Sequence, residues 1–205
     1  MREQRRIVLA ATAGLVMMAV SAKVAYCAGW RVNLTPSAPR GLYHLRPLTT
    51  VVIPRGALVE LCPPAWVTPA AFPFYLRGDC PSGGRALLKT IVGVPGDQVA
   101  VTEDGVSVNG VKLPGSVPRL RSKEPPEVSL PLRRGAVVLR SEQYWVYGSG
   151  ERPDLAAWSF DSRYFGPVSI GHIRGAVISV YSCQTAVLGL RRTWCDLFGS
   201  ADSGR

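Results

Sequence analysis

One lysine of this chain lies inside an apolar run. The sequence has four lysines against twenty arginines, and beyond the apolar N-terminal segment only Lys89 has mainly apolar neighbours, in the segment LLKTIV at 87–92. In a strand, Leu87, Lys89 and Ile91 would share one face. Burial there lowers the pKa of an amine, and a neutral amine can take a proton from a hydroxyl, which arginine cannot do. Lys89 is a candidate general base; the alternative is a lysine that reaches solvent from an edge strand.

Ser37 is a candidate nucleophile in a constrained segment. Pro36 and Pro39 flank it, and Gly41 follows. Because proline restricts its own φ and the residue before it, we expect an extended, rigid loop with a turn at Gly41. Such a loop would hold the serine hydroxyl and backbone N–H in a fixed geometry, as nucleophilic catalysis requires. Serine near proline is also common in ordinary loops, so this segment alone leaves both readings open.

Histidine and cysteine give weaker indications of chemistry. Neither His44 nor His172 has an acidic neighbour, although a Ser-His-Asp triad assembled from distant positions stays open. The five cysteines form no Cys-x-x-Cys pair and do not match the ligand spacing of a zinc site. The sequence therefore predicts neither a metal nor another cofactor.

The elements that position these residues begin with an apolar N-terminal segment. Three arginines precede Ile7–Ala22, which carries no charge; Lys23 interrupts the apolar run and Val24–Trp30 resumes it. This length suits a single membrane-spanning helix, and the leading arginines predict a cytoplasmic N-terminus. We expect a cytoplasmic segment at 1–6, a retained anchor at 7–29 and one periplasmic domain at 30–205.

Two other interpretations of the N-terminal segment stay open. Residues 20–22, Val-Ser-Ala, form an acceptable site for removal of a cleaved signal peptide. Cys27 could end a lipoprotein signal, although Tyr26 before it is bulkier than such sites prefer.

The remaining sequence predicts an antiparallel, barrel- or sandwich-like β domain. Short β-branched runs alternate with turns rich in the 21 glycines and 17 prolines. Turn signals at 103–105 and at Asn109-Gly110 predict a hairpin strand between them, and the proline-rich segment 114–131 predicts a surface loop. The predicted strands are 51–53, 57–61, 87–92, 98–101, 106–108, 136–139, 144–147 and 176–181.

The cysteines of an exported domain could form disulfides. Nearest-neighbour pairing gives Cys62–Cys80 and Cys183–Cys195, one of three possible connectivities, and leaves Cys27 unpaired at the membrane. The alternative is that some of them are small buried hydrophobic residues.

The net charge of the chain gives little information about its binding partners. The formal net charge is +10, but the arginines are scattered and no helix-turn-helix or zinc module is recognisable. We therefore interpret the charge as a solvated surface that can face anionic lipid, and we predict no nucleic-acid partner.

Three segments together resemble a known family. Residues 37–43, SAPRGLY, resemble the nucleophile box of type I signal peptidases in its TraF-type, conjugative-transfer form. Residues 89–97, KTIVGVPGD, and 161–167, DSRYFGP, resemble the lysine box and the third box of that superfamily, and 54–59, PRGALV, one of its strands. The resemblance covers most of 33–182. It implies a mainly β, antiparallel, signal-peptidase-like domain with one N-terminal transmembrane helix.

The resemblance also implies a role for each matched residue. Ser37 would attack the scissile carbonyl, and Lys89 would take the serine proton and return it to the leaving amine. The Ser37 backbone N–H and the Thr35 hydroxyl would form the oxyanion hole. Asp161 and Arg163 would support the site near the lysine.

Two departures from general signal peptidases narrow the expected function. Ala38 stands where those enzymes usually have Met, and Gly148–Glu151 replaces their Gly-Asp-Asn sequence. These differences favour the TraF-type branch, whose members mature a pilin subunit for conjugative transfer. We expect a serine endopeptidase, anchored in the inner membrane with its domain in the periplasm, that processes an exported pilin precursor beside a transfer apparatus.

Three questions stay open at this stage. The sequence does not decide whether the enzyme also cyclises its product, which needs a peptide amine to capture the acyl-enzyme before water does. One alternative function is a general type I leader peptidase. Another is a non-catalytic β subunit of a pilus or export assembly.

Overall fold

A computed structural model describes residues 2–35, 37–48, 52–123, 125–148 and 156–182. These residues form two helices, eleven strands and a 3-10 turn at Ile170–His172. The helices are α1 (Arg2–Cys27) and α2 (Ser162–Phe165). The strands are β1 (Trp30–Asn33), β2 (Gly41–Arg46), β3 (Leu58–Leu61), β4 (Leu87–Gly93), β5 (Gln98–Thr102), β6 (Gly105–Val108), β7 (Val111–Lys112), β8 (Gly135–Val138), β9 (Gln143–Tyr147), β10 (Val168–Ser169) and β11 (Ile173–Ser182).

Helix α1 is long and apolar enough to cross a membrane. Its most apolar window has a mean hydropathy of 2.0, and none of that window is buried against the rest of the chain. A signal sequence near the N-terminus has the same properties, so both interpretations of the segment remain. The helix ends where Gly29 adopts a φ of +93°, a conformation that favours glycine, and donates its N–H to the Tyr26 carbonyl at 3.1 Å.

Two antiparallel sheets build the domain, which confirms the predicted fold class. The first has seven strands in the order β1-β2-β11-β3-β4-β9-β10, and the second has four in the order β7-β6-β5-β8. Strand β11 joins β2 to β3, so the N-terminal hairpin β1–β2 belongs to the same sheet as β4. The strands on either side of Ser37, 30–33 and 41–46, and the strand that carries Lys89, 87–93, are therefore parts of one sheet.

Two hydrophobic cores flank the central strands. The larger contains Val59, Ile91 and Val146, and the smaller contains Val99 and Trp145. Strand β9 contributes to both cores because alternate residues of a strand point to opposite faces. Strand β4 lies between β3 and β9 and is thereby enclosed rather than at an edge.

Most predicted strands are confirmed, with two kinds of difference. The predicted strand at 51–53 is wrong at Val52 and Ile53, which are irregular, whereas residue 51 lies outside the described part. Strands β1, β2, β7 and β10 were not predicted. Gly41 was expected in a turn but begins β2, because it pairs with Asn33 of β1 across a hairpin whose loop is residues 34–40.

The predicted hairpin at 98–108 and one predicted disulfide are confirmed. Strands β5 and β6 pair antiparallel, with Thr102 opposite Gly105 across the turn between them. Asn109 and Gly110, with φ angles of 50° and 79°, form the next turn, between β6 and β7, as a tight type I′ turn requires. Cys62 and Cys80 are bonded to each other, and Cys27 is free and exposed. The predicted pair Cys183–Cys195 lies outside the described residues.

Candidate active site

Lys89 is buried in the middle of the larger sheet. It lies in β4 opposite Val59 of β3, and only 3% of its surface is exposed. Ile91, two residues further on, is fully buried in the larger core, and Leu87 is half-buried. The alternative of a lysine that reaches solvent from an edge strand is therefore wrong.

Burial changes the acid–base chemistry of the Lys89 amine. Desolvation lowers its pKa from 10.5 to about 8; the Asp161 carboxylate opposes this shift and the Arg163 guanidinium adds to it. A substantial fraction of the amine is consequently neutral near pH 8. A neutral amine has a lone pair that can accept a proton.

The hydrogen-bond partner of Lys89 is Ser159, a residue that the sequence did not indicate. Lys89 Nζ donates to Ser159 Oγ at 2.7 Å, and Ser159 itself is buried. Ser159 lies two residues before Asp161, so its place just ahead of the third box was the available signal. The contact fixes the direction of the flexible lysine chain.

Gly148 makes room for this contact. A Cβ at Gly148 would overlap the Ser159 hydroxyl and would lie 3.4 Å from Lys89 Nζ. Gly148 also donates its N–H to Asp161 Oδ2 at 3.0 Å. A residue without a side chain is thus required where β9 ends beside the lysine.

Asp161 and Arg163 form a fully buried ion pair next to Lys89. Arg163 donates to Asp161 Oδ1 at 2.9 Å and to Oδ2 at 3.0 Å, and neither side chain is exposed to solvent. Arg163 also donates to the carbonyls of Ala156 and Ser159, at 2.7 and 2.8 Å. The pair therefore fixes the backbone on both sides of the Ser159 hydroxyl.

Local capping and aromatic packing hold the third box in place. Asp161 caps α2 by accepting from the Arg163 N–H, and Phe160 stacks on Tyr164 with ring centroids 5.6 Å apart. Phe160 also packs edge-on against Phe165 at 5.5 Å. These contacts attach a four-residue helix to the larger core, although such a helix would not be stable alone.

Ser37 lies in the loop between β1 and β2. Its side chain is half-buried, and Ala38 beside it is 1% exposed. Ser37 Oγ lies 3.1 Å from Thr35 Oγ1, so the predicted nucleophile and the predicted oxyanion-hole hydroxyl are in contact. The loop thus presents two hydroxyl groups side by side.

Asn33 organises this loop from the end of β1. Its Nδ2 donates to the carbonyls of Thr35, Ala38 and Pro39, at 3.0, 2.9 and 3.1 Å. Its Oδ1 accepts from the Thr35 N–H at 3.1 Å and from the Thr35 hydroxyl at 2.7 Å. No pattern in the sequence indicates this role of Asn33.

The candidate residues form two hydrogen-bonded groups. Thr35 and Ser37 belong to the group organised by Asn33, and Lys89, Asp161 and Arg163 belong to the group around Ser159. Among the described residues, Lys89 Nζ is bonded to Ser159 and Ser37 Oγ to Thr35, and no hydrogen bond joins the two groups directly. Transfer of the Ser37 proton to Lys89 therefore stays a prediction.

Within the described residues, neither histidine contacts the carboxylate that a triad needs. His44 Nε2 contacts the Ala28 carbonyl at 3.1 Å, and His172 Nδ1 contacts Ser169 Oγ at 2.8 Å within a 3-10 turn. In the part of the chain that the structure describes, no carboxylate is among the hydrogen-bond partners of either ring. Lys89 is the buried candidate base.

The sequence matches a known protein family over most of its length. Residues 3–182 match the family described as signal peptidase, peptidase S26. The match includes all five predicted site residues, Thr35, Ser37, Lys89, Asp161 and Arg163.

Several curated proteins are similar to this chain. A plasmid transfer protein TraF of Escherichia coli is 35% identical over 84% of this chain and 96% of its own length. A conjugal transfer protein TraF of Agrobacterium tumefaciens (strain 15955) is 36% identical over 80% of this chain and 89% of its own. A signal peptidase I structure from Enterococcus faecalis V583 covers 60% of this chain and 95% of its own, at 20% identity and a TM-score of 0.33.

Proposed function

Because this chain belongs to the signal peptidase S26 family, we propose that it is a membrane-anchored serine endopeptidase with Ser37 as nucleophile and Lys89 as general base. The observation that carries the proposal is the Lys89 amine, which is buried, held by Ser159 and has a pKa of about 8. An arginine could not replace it, since a guanidinium does not give up its proton.

In the first chemical step, Ser37 Oγ attacks the scissile carbonyl carbon. The Ser37 proton moves to the neutral Lys89 amine, which becomes an ammonium ion as the tetrahedral oxyanion forms. The oxyanion collapses, the C–N bond breaks, and Lys89 returns the proton to the leaving amine. The product of this step is an acyl-enzyme on Ser37 together with the released peptide.

In the second step, Lys89 takes a proton from water, and the resulting hydroxide equivalent attacks the acyl carbon. Collapse of that oxyanion releases the acid, and the proton returns to Ser37. If the attacking group is instead the amine at the other end of the substrate, the product is a ring. Both outcomes use the same acyl-enzyme and differ only in the nucleophile.

Three groups are proposed to support these steps. The Ser37 backbone N–H and the Thr35 hydroxyl would donate to the oxyanion, and each such donor contributes roughly 3 kcal/mol of transition-state stabilisation in serine peptidases. Ser159 is proposed to direct the amine, because its bond occupies one N–H and leaves the lone pair of neutral Lys89 free. Asp161 and Arg163 would hold the Ser159 backbone.

We further propose a location and a substrate class. The arginines at the start of α1 favour a cytoplasmic N-terminus, and the β domain is accordingly proposed to lie on the periplasmic side of the inner membrane. The relatives named for plasmid and conjugal transfer support a substrate of that system, and we propose an exported pilin precursor.

The test is mass spectrometry of a candidate pilin precursor after incubation with the full-length protein in detergent. Wild-type protein should give one cleaved product, and Ser37→Ala and Lys89→Ala should give none. Ser141→Ala and Lys112→Ala, which change an exposed serine and an exposed lysine, are the matched controls and should cleave normally.

The same spectra decide between the remaining readings. A product lighter than the linear one by one water indicates cyclisation. Equal cleavage of ordinary secretory precursors favours a general leader peptidase. Cleavage by Ser37→Ala at the wild-type rate contradicts the proposed mechanism.

A further inference from the structure

We propose that Asn33 is a positioning residue of the candidate active site, whose side-chain amide fixes the direction of the hydroxyl protons of Thr35 and Ser37. The inference rests on the proposed function of Ser37 and adds a residue to it. Asn33 is the last residue of β1, is 9% exposed, and is paired across the hairpin with Gly41. Its own position is therefore set by the sheet.

The hydrogen-bond partners of Asn33 determine which way its amide faces. Three carbonyl oxygens, of Thr35, Ala38 and Pro39, surround Nδ2, and two donors of Thr35 face Oδ1. The reversed amide would set its oxygen against three other oxygens, all of which can only accept. The assignment of nitrogen and oxygen is thus fixed by chemistry.

This orientation fixes the order of the two hydroxyl protons. An amide oxygen can only accept, so the 2.7 Å contact between Thr35 Oγ1 and Asn33 Oδ1 uses the single Thr35 proton. The 3.1 Å contact between Ser37 Oγ and Thr35 Oγ1 must then use the Ser37 proton. Ser37 therefore donates its hydrogen bond to Thr35, and Thr35 donates its own to Asn33.

The order has a consequence for catalysis. Without substrate, the Thr35 hydroxyl donates its proton to Asn33. The hydroxyl must therefore rotate away from Asn33 before it can donate to an oxyanion. Asn33 also bonds both ends of the loop that carries Ser37, at Thr35 and at Ala38 and Pro39. Loss of the amide would therefore misplace the Ser37 hydroxyl and N–H together, without touching Lys89.

The test is the pre-steady-state reaction with p-nitrophenyl acetate, using the full-length protein in detergent. Attack by Ser37 forms acetyl-Ser37 and releases p-nitrophenolate, which is coloured. The burst amplitude counts correctly folded sites, and the burst rate constant reports the chemistry of each site. A partly misfolded variant loses amplitude, so its rate constant remains interpretable.

Two variants and one matched control are needed. Asn33→Ala removes all five bonds, and Asn33→Asp keeps an acceptor for Thr35 but puts an oxygen against the three carbonyls. The control is Asn109→Ala, because Asn109 also bridges backbone and side chain, to the Gln98 N–H and to Asp97, in the smaller sheet. Its loss should lower stability but leave the burst rate constant unchanged.

We expect both Asn33 variants to acylate about tenfold or more slowly than wild type, because a small misplacement of reacting groups has effects of this order. The pH midpoint of the burst rate should stay at its wild-type value, since Lys89 is untouched. Burst rate constants within about twofold of wild type in both variants would overturn the inference. A full burst in Ser37→Ala would overturn the proposed function itself, and the inference with it.

Discussion

At the scale of single residues, the proposed chemistry depends on one amine that is kept from water. Lys89 is enclosed between β3 and β9, its Nζ bonds to Ser159, and the ion pair of Asp161 and Arg163 lies beside it. The nearby charges act in opposite directions on its pKa, whereas burial supplies the main downward shift. The proposed base would act without a histidine.

The first prediction concerns pH. Because the neutral amine is the active form and its pKa is about 8, kcat/KM should fall about tenfold per pH unit below that value. Asp161→Asn removes a carboxylate that raises the pKa of Lys89, so its midpoint should move to lower pH. The measurement is the pH profile of acylation for both proteins. A midpoint near pH 6.5 in wild type, as an unperturbed histidine gives, would contradict Lys89 as the base.

The second prediction concerns Gly148. In Gly148→Ala the new Cβ would overlap the Ser159 hydroxyl and displace the Lys89 contact, so activity should fall about a hundredfold. Gly171→Ala is the matched control, because its Cβ would meet one atom at 4.0 Å, an ordinary contact. Processing rates and melting temperatures of both variants provide the measurement. Normal activity of Gly148→Ala would show that Ser159 does not direct the lysine.

The sequence could predict some of these residues but not others. Lys89 was identifiable because its apolar neighbours in β4 predict burial whatever the strand pairs with. Ser159 was not, because its contact with Lys89 joins residues 70 positions apart and depends on how α2 packs. Asn33 was hidden for another reason: its partners are mostly backbone carbonyls, which no sequence pattern displays.

At the scale of elements, the turn after β4 sets the direction in which that strand leaves the site. Asp97 accepts from the Val94 N–H at 2.6 Å, from Asn109 at 2.8 Å, and from Arg55 through both carboxylate oxygens. It thereby ties the turn to a neighbouring loop and to the hairpin of the smaller sheet. These contacts give Asp97 a structural role in the turn.

The third prediction is that Asp97→Ala lowers the free energy of unfolding by about 2–4 kcal/mol at pH 7, because several charge-assisted bonds are lost. Burial raises the pKa of Asp97, but the bonds from Val94, Asn109 and Arg55 outweigh it and lower the pKa overall. Its contribution is therefore present above pH ~4 and is lost as the pH falls through the lowered pKa. Urea unfolding of wild type and Asp97→Ala at pH 7 and in acid should show that the difference between their free energies of unfolding decreases in acid. A difference that does not change with pH would contradict this role of the Asp97 carboxylate.

A local sequence pattern is sufficient to predict some of the strands but not others. Strands β4, β5 and β6 were predictable because β-branched residues and turn signals mark them in the sequence. Strand β1 has four residues of mixed type, WRVN, and is defined by its pairing with β2. Proline and glycine around Ser37 suggested a turn at Gly41, but the pairing of Asn33 with Gly41 moves the turn into the loop between them.

At the scale of the whole molecule, a polar network joins the end of α1 to the sheet. Tyr26 donates to Asp79 at 2.8 Å, and Asp79 accepts from Arg174 of β11 at 2.9 Å. Arg31 of β1 pairs with Glu60 of β3 and donates to the Tyr26 carbonyl at 2.7 Å. An anchor attached in this way would hold the domain at a fixed height above a membrane.

The fourth prediction concerns the disulfide beside this network. Cys80 follows Asp79, and its bond to Cys62 closes a loop with a sequence separation of 18. Replacing both cysteines by alanine should lower the free energy of unfolding by about 3 kcal/mol, as loop-closure entropy gives for this length. Cys27→Ala, which removes a free cysteine, should not change it. Equal thermal stability of the double variant and wild type would contradict a stabilising role.

The most direct test of the central claim is to find the acylated residue. Full-length protein is mixed with p-nitrophenyl acetate at pH 8, quenched in acid during the burst, digested and analysed by mass spectrometry. Catalysis by Ser37 and Lys89 predicts an acetyl group on Ser37 in wild type and its loss in Lys89→Ala, while Lys112→Ala labels as wild type does. Labelling at another residue with Ser37 unmodified, or undiminished labelling of Ser37 in Lys89→Ala, would contradict a peptidase that works through Ser37 and Lys89.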